Sequence, residues 1–378
     1  MDYPSDNFTE YPSYDDSLLQ HSPELTILIS VAYGFIFFTG VLGNTFVVLA
    51  VCAHKNLNIT TDYLILALAL ADLFILWVCL PTTLANNIFN RWLFGSLLCR
   101  LSTWANATSS CTSVYTLVAV TADRYLAICH TMKYNTSWDR EYTKYVIFVI
   151  WIISAIAGIP NFFLYDAVIF VMVFKDGAWD IERVYSEQSQ AINICMQESD
   201  YQTVFFVTIN LCFAFVIPFG LILFLYTKIF ITVSTHRSLA IDARAREDRV
   251  KLRVATMMLT VIISFAICWL PLLTIFTFFN FADQRTPLYG FLSTSLRPIF
   301  QWLSILSSSL NPIIYIAYSH KYRRAFKKIL LMPCKLKYER VRSTILRKPN
   351  QMTQNEKISA GENVSFKTCT DGAVSAAY

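Results

Sequence analysis

Seven apolar stretches, each of about 20 residues or more, follow one another between residues 24 and 318, and no other feature constrains the chain as tightly. A helix needs about 20 apolar residues to cross some 30 Å of hydrocarbon. Inside lipid every backbone N–H and C=O must find a partner within the spanning structure. The expected fold is therefore an all-α membrane protein, a bundle of seven transmembrane helices. Hydrophobic residues make up 55% of the 378 and charged residues 15%. Nearly the whole length is used in crossing, so no soluble catalytic domain fits, and neither enzymatic chemistry nor nucleic-acid binding is expected.

The charges fix the orientation. The first 24 residues hold no Lys or Arg but do hold Asp2, Asp6, Glu10, Asp15, Asp16 and Glu24. Basic residues gather at Lys133, Arg140 and Lys144, from Arg237 to Arg253, and from Lys321 to Lys328. Basic flanks stay in the cytoplasm, which puts the N-terminus outside. The expected division is an acidic extracellular segment at 1–24, the bundle at 25–318, an amphipathic interfacial helix at 319–332 and a disordered cytoplasmic tail at 333–378. In the interfacial helix Tyr322, Ala325, Phe326, Ile329 and Leu330 recur at helical spacing among Arg and Lys, which suits the surface of the inner leaflet. Of the Asn-x-Ser/Thr triplets, only Asn7 lies in a segment exposed to the lumen, so it is the expected glycosylation site.

Most of the ten cysteines lie within helices, where they serve as small apolar side chains. Cys99 opens the third helix and Cys195 lies in the polar loop before the fifth. Both are on the outer side, where a disulfide persists, so a bridge between them is expected. Cys334, just past the basic amphipathic stretch, is a candidate for palmitoylation, with an unmodified thiol as the alternative.

Ionisable groups in apolar helices are costly, by about 2.5–3.5 kcal/mol each at a helix centre on insertion scales, and they mark function by default. Asp72 lies in mid-span of the second helix, and Asn44, Ser113 and Asn311 are polar residues at suitable depth to meet it. The alternative is a protonated Asp72 that merely glues helices together. Asp123, Arg124 and Tyr125 end the run Ser113 to His130 of the long third helix, and a charge pair at that inner end reads as a switch. Pro81, Pro218, Pro271 and Pro312 each remove a helical hydrogen bond, making hinges or kinks that neighbouring helices can stabilise in more than one position. Between Tyr165 and Tyr201, Ala167 to Phe174, then Lys175-Asp176-Gly177 and a return run to Cys195 read as a hairpin. A lid of this kind suits a large ligand; the alternative is a segment that dips into the membrane interface.

Gly43-Asn44, LALADL at Asp72, Cys99, Asp123-Arg124-Tyr125, Trp151, Pro218 with Tyr226, CWLP at Trp269 and NPIIY at Tyr315 occur in one order and spacing. In these motifs residues 25–332 closely resemble the rhodopsin-like (class A) G-protein-coupled receptors. The resemblance implies an inward polar cluster of Asp72, Ser113, Asn44, Trp269, Ser308 and Asn311 in which a sodium ion can sit as an allosteric ligand. It implies that Asp123 holds Arg124 at rest, and that on activation Arg124 meets the G protein and packs near Tyr226 and Tyr315. It also makes Phe265, with Pro218 and Val114, a packing switch that converts ligand contact into an outward swing of helix six. Two positions depart from the pattern. Lys251 stands where many relatives place an acid that clamps the arginine, leaving Asp123 as its sole restraint, and Ser307 stands where an Asn is usual, which bears on sodium affinity.

Ligand class is argued from the outer half. Asn106 occupies the depth at which amine receptors of the family carry an Asp, and helix seven has no lysine between Arg297 and Lys321 for a retinal Schiff base. What remains favours a peptide. The pattern of Pro81 in CLPTTL, the acidic N-terminus and the outer loop is most similar to the orexin, cholecystokinin and neuropeptide-FF-type receptors. Expected ligand contacts are Asn106, Thr103, Thr82, Gln202, Phe276, Asn280, Arg297 and Gln301. The expected partners are an extracellular peptide, a heterotrimeric G protein, arrestin and receptor kinases acting through the tail, and membrane lipid; the expected location is the plasma membrane. A receptor for a lipid or other non-amine small molecule shares every switch residue. A transporter would also place polar groups in mid-membrane, but it would show internal repeats.

Overall fold

The computed structural model describes residues 19–331 apart from 54–59, 131–138, 176–177, 185–191, 198–200, 237–241 and 283–285. The expected sites at Asn7 and Cys334, the tail, and most of the N-terminal segment lie outside the described residues. Seven long helices form the bundle: α1 (Pro23–Ala53), α2 (Thr60–Ile88), α3 (Gly95–Cys129), α4 (Arg140–Leu164), α5 (from Tyr201 to His236), α6 (Asp242–Phe281) and α7 (Pro287–Tyr318). Ser319 adopts an extended conformation and ends α7; α8 follows over residues 320–331.

Six of the seven are long and apolar enough to cross a membrane by composition alone; α3 is not among them. Its 35 residues include the buried hydroxyls Ser102, Thr108, Ser109, Ser110, Thr112, Ser113, Thr116 and Thr121. The helix tolerates them because protein, rather than lipid, surrounds it: it packs against α2, α4, α5 and α6. Several hydroxyls also bond carbonyls one turn back within the helix, as Ser109 does to Ala105, Thr112 to Thr108 and Thr121 to Leu117, each at 2.8 Å. The outer helices have the opposite arrangement, with apolar side chains such as Phe38 (66% exposed) and Phe230 (73%) facing outward. Close helix packing in lipid depends on small residues. At Gly43 in α1 a Cβ would lie 2.8 Å from the Pro312 ring, so only glycine permits that approach of α1 to α7.

Three of the bundle helices widen at the same place relative to a proline. Single π-turns occupy Ile75–Cys79 in α2, Cys212–Val216 in α5 and Leu292–Leu296 in α7, each ending two residues before Pro81, Pro218 or Pro298. In each the next residue's N–H donates to the carbonyl five back: Leu80 to Ile75, Ile217 to Cys212 and Arg297 to Leu292. A proline lacks an N–H and its ring crowds the carbonyl four residues earlier; the wider turn relieves that crowding, and such turns recur at functional sites. Pro271 and Pro312 lie within α6 and α7 without such a turn.

The outer loop is a three-stranded antiparallel sheet ordered β2-β1-β3, formed by β1 (Tyr165–Lys175), β2 (Ala178–Val184) and β3 (Ile192–Gln197). The expected hairpin is thus present as β1 and β2, and the return run carries a further strand, β3, that pairs with the opposite edge of β1, Ala167 opposite Cys195. A Cys99–Cys195 disulfide ties this sheet to the outer end of α3. Arg100 adds a 2.6 Å ion pair to Asp166, and the Trp92 amide donates to the Asn193 carbonyl at 2.6 Å.

Candidate functional site

Two regions gather the polar residues. The outer one is a cavity of about 420 Å³ among α2 to α7 and β3. Seven of the eight expected contacts line it: Thr82, Thr103, Asn106, Phe276, Asn280, Arg297 and Gln301. The eighth, Gln202, is on the first turn of α5, where side chains lie outside the described residues. The seven are not equally free. The Thr82 hydroxyl donates to the Val78 and Cys79 carbonyls, and that of Thr103 to the Cys99 and Arg100 carbonyls. Asn280 donates to the Phe276 carbonyl and accepts from Gln197 of β3 at 3.2 Å. Arg297 Nε and Gln301 Oε1, by contrast, are buried and bond nothing among the described residues.

Asn86, Asn161, Gln197 and Tyr289 also line the cavity and went unpredicted. Gln197 could be found only through the strand register, since its position follows from β3 pairing with β1. At the floor, Trp269 donates from Nε1 to Ser307 Oγ at 3.1 Å, and Ser307 passes its own proton to the Ser304 carbonyl at 2.6 Å. The serine that departs from the usual Asn therefore links α6 to α7. Below Trp269, Phe265 stacks on it with centroids 5.5 Å apart and planes 17° apart, and Phe215 and Phe219 of α5 pack alongside. Val114 and Pro218 are buried as well.

The inner region begins at Asp72. Asn311 Nδ2 donates to its Oδ2 at 2.7 Å, and of the three partners expected from the sequence only this one bonds it. Asn44 turns its amide to the Gly40 and Ser308 carbonyls at 2.9 and 2.8 Å, so it joins α1 to α7 instead. Ser113 Oγ and Asn44 Oδ1 are buried without a partner among the described residues. A buried carboxylate and neutral oxygens are the ligand types that suit a hard cation such as sodium.

At the inner end, Arg124 Nε donates to Asp123 Oδ2 at 3.0 Å, and Nη2 donates to the same carboxylate oxygen and to Thr61 Oγ1. Thr61 and Thr60, on the first turn of α2, donate to Asp123 Oδ2 and Oδ1 at 2.8 and 3.0 Å. Asp123 is fully buried and Arg124 nearly so. Removing one partner of such a pair costs roughly 3–5 kcal/mol, because the other charge is left buried. The two threonines were missed because nothing in the local sequence of α2 connects them to Asp123, some 60 residues later. Among the described residues no carboxylate other than Asp123 pairs with Arg124; the side chain of Lys251 is outside the described set. Tyr125 faces away and meets His130 at 3.1 Å. Tyr226 donates to the Ala255 carbonyl of α6 at 3.3 Å and is close enough to Arg124 to feel its charge. Tyr315, expected near the arginine on activation, packs here on Tyr322 of α8 with centroids 5.6 Å apart. Tyr322 donates in turn to Asp62 at 3.2 Å.

The profile of the seven-transmembrane receptors of the rhodopsin family matches residues 43–315. Among curated proteins, the chain is similar to neuropeptide FF receptor 2 of Rattus norvegicus, 27% identical over 340 residues, spanning 85% of this chain and 78% of that one. It is similar to the RYamide receptor of Tribolium castaneum at 26% over 306 residues, 80% of each chain. It is also similar to the allatostatin-A receptor of Bombyx mori at 27% over 312 residues, 81% of this chain and 80% of the other.

Proposed function

The chain belongs to the rhodopsin family of seven-transmembrane receptors, a family of multi-pass membrane receptors rather than enzymes, and on that premise we propose that it binds an extracellular neuropeptide or peptide hormone and activates a heterotrimeric G protein. The observation that carries the peptide reading is the outer cavity, lined at several depths by hydrogen-bonding side chains and bordered by a disulfide-anchored sheet whose Gln197 reaches α6. A peptide presents backbone donors and acceptors along its length, and such a surface can meet them. The names of the relatives, peptide receptors all, agree with it.

The mechanism is a shift between two packings of one bundle. Agonist pressing on the cavity floor repacks Trp269, and the stack carries the change to Phe265 and the α5 aromatics. Pro271 leaves α6 without one hydrogen bond above this stack, so the inner half of α6 pivots outward. That movement breaks the contact from Tyr226 to the Ala255 carbonyl, frees Arg124 from Asp123 and opens a cleft for the G protein. Sodium at Asp72, held with Ser113 oxygen, would stabilise the resting packing. The receptor sits in the plasma membrane with its N-terminus outside, glycosylated at Asn7, and its tail, acylated at Cys334, engages receptor kinases and arrestin.

Two measurements test this. Screening the expressed receptor against a neuropeptide library, with calcium and cyclic AMP readouts, should give a peptide agonist; activation by lipids alone would overturn the peptide assignment. Arg124→Ala should abolish nucleotide exchange while retaining surface expression and most ligand binding, and full exchange in that variant would overturn the switch.

A further inference from the structure

Among the described residues, Arg297 is a cation lining the cavity with no counter-ion. Ion pairs among the described residues join Arg100 to Asp166, Arg124 to Asp123 and Lys144 to Glu141, and none reaches it. Among the described residues the titratable neighbours of Arg297 are the phenols of Tyr289, Tyr165 and Tyr33, and none is a carboxylate. Among the described residues its Nε is buried without an acceptor, and Gln301 Oε1, four residues on, is buried without a donor. Residues four apart share one face of a helix about 6 Å from each other along the axis, and both side chains line the cavity. The wide turn over Leu292–Leu296 sets this facing. One extra residue in a turn rotates whatever follows by roughly 100°.

An uncompensated buried charge is costly, and a site left short of one anionic acceptor and one donor describes what would complete it. We propose that Arg297 and Gln301 form a carboxylate clamp, the guanidinium taking a ligand carboxylate and the Gln301 carbonyl accepting from an adjacent ligand N–H. The carboxylate is either a free peptide C-terminus or an Asp or Glu side chain; a neutral terminal amide would leave the charge unmet. The inference deepens the peptide reading by naming the group the peptide must carry, and it rests on that reading only for the source of the carboxylate. Arginine is suited to the task because its planar fork meets a carboxylate with two parallel hydrogen bonds.

Thermal unfolding of the purified full-length receptor tests the clamp without knowledge of the natural ligand. The probes are N-acetyl-leucine, N-acetyl-leucinamide, and the α-amide of N-acetyl-glutamate, whose single carboxylate is on the side chain. At least one acid should raise the unfolding midpoint saturably at millimolar concentration and the leucinamide should not; the stronger acid identifies the source. Arg297→Gln should unfold at or above the wild-type temperature without probe, since it removes an unpaired charge, and should bind the acid about tenfold or more weakly. Arg297→Lys should recover part of the response. An equal shift with leucinamide, an undiminished acid response in Arg297→Gln, or no saturable shift with either acid would each overturn the clamp. Failure of the peptide reading looks different: the acids would still bind at Arg297 while no peptide in the library activated the receptor.

Discussion

At Arg124 a single hydroxyl decides how firmly the charge is held. Thr61 Oγ1 accepts from Arg124 and donates to Asp123, so it closes a three-membered polar ring between α2 and α3. Thr61→Val keeps the shape and removes both bonds. Hydrogen bonds to charged groups contribute roughly 1.5–3 kcal/mol, so the resting packing should lose at least about 1 kcal/mol relative to the active one. Basal nucleotide exchange should rise by a factor of about 5 or more; an unchanged basal rate at equal surface expression would show that the threonine takes no part in the restraint. A second residue-scale prediction concerns Asp166. The hydrogen bond from Arg100 holds its carboxyl below the ordinary carboxylate value of 3.8. A depressed folded pKa means that its contribution is fully present above the ordinary value and is lost as pH falls through the folded one. Hydrogen exchange in β1 should therefore be insensitive to this pair from neutral pH down to about that value and should speed up below it. In Asp166→Asn the exchange should already be faster at neutral pH, with that acid-side change missing.

Among the elements, α8 is tied to the bundle more specifically than an interfacial helix requires. Its apolar face, with Tyr322, Ala325 and Phe326 all buried, packs into the core cluster, and Phe46 of α1 meets Phe326 at 5.7 Å. Arg323 donates to the Ile316 and Ala317 carbonyls at 2.9 and 2.7 Å and so caps the end of α7. The Tyr322 hydroxyl reaches Asp62 on the first turn of α2. Tyr322→Phe keeps the ring stack on Tyr315 but takes a donor from a buried carboxylate, at a cost of roughly 1–3 kcal/mol. Limited proteolysis beyond residue 319 should accelerate in this variant while ligand affinity stays the same. Equal proteolysis rates would mean that membrane partitioning alone holds α8. The three widened turns make a related point: each lets a proline sit in a helix without a sharp break and re-aims the residues beyond it, Arg297 among them.

For the whole molecule, the Cys99–Cys195 bridge closes a sequence separation of 96 between the bundle and its outer sheet. Removing a native disulfide typically costs about 2–5 kcal/mol. Cys99→Ala and Cys195→Ala should therefore lower surface expression and agonist affinity alike, and the double variant should be no worse than either single one. Additive losses would indicate separate roles for the two cysteines. Much of this architecture was legible beforehand, because lipid imposes a rule that local sequence must obey: the spans follow from length and hydropathy, while the loop hairpin, the bridge and the inner charge pair were marked by local residues. The third helix shows where that rule weakens, since a span enclosed by other helices need not be apolar. The lining of the cavity was legible in part, and the state of each lining group was not. Thr82 and Thr103 donate to their own helix, while Arg297 Nε and Gln301 Oε1, no different in kind when read along the chain, have no partner among the described residues.

The sequence by itself determined that the chain crosses the membrane many times, because the cost of burying a charge or an unpaired backbone group in hydrocarbon is set residue by residue. Only the tertiary structure decided which polar groups are satisfied: that Asp72 keeps Asn311 and loses Asn44 to Ser308, that Thr60 and Thr61 secure Asp123, and that Tyr315 turns to Tyr322. Hydrogen bonds act over about 3 Å, and which atoms come that close is set by how helices far apart in the chain rotate and pack against one another.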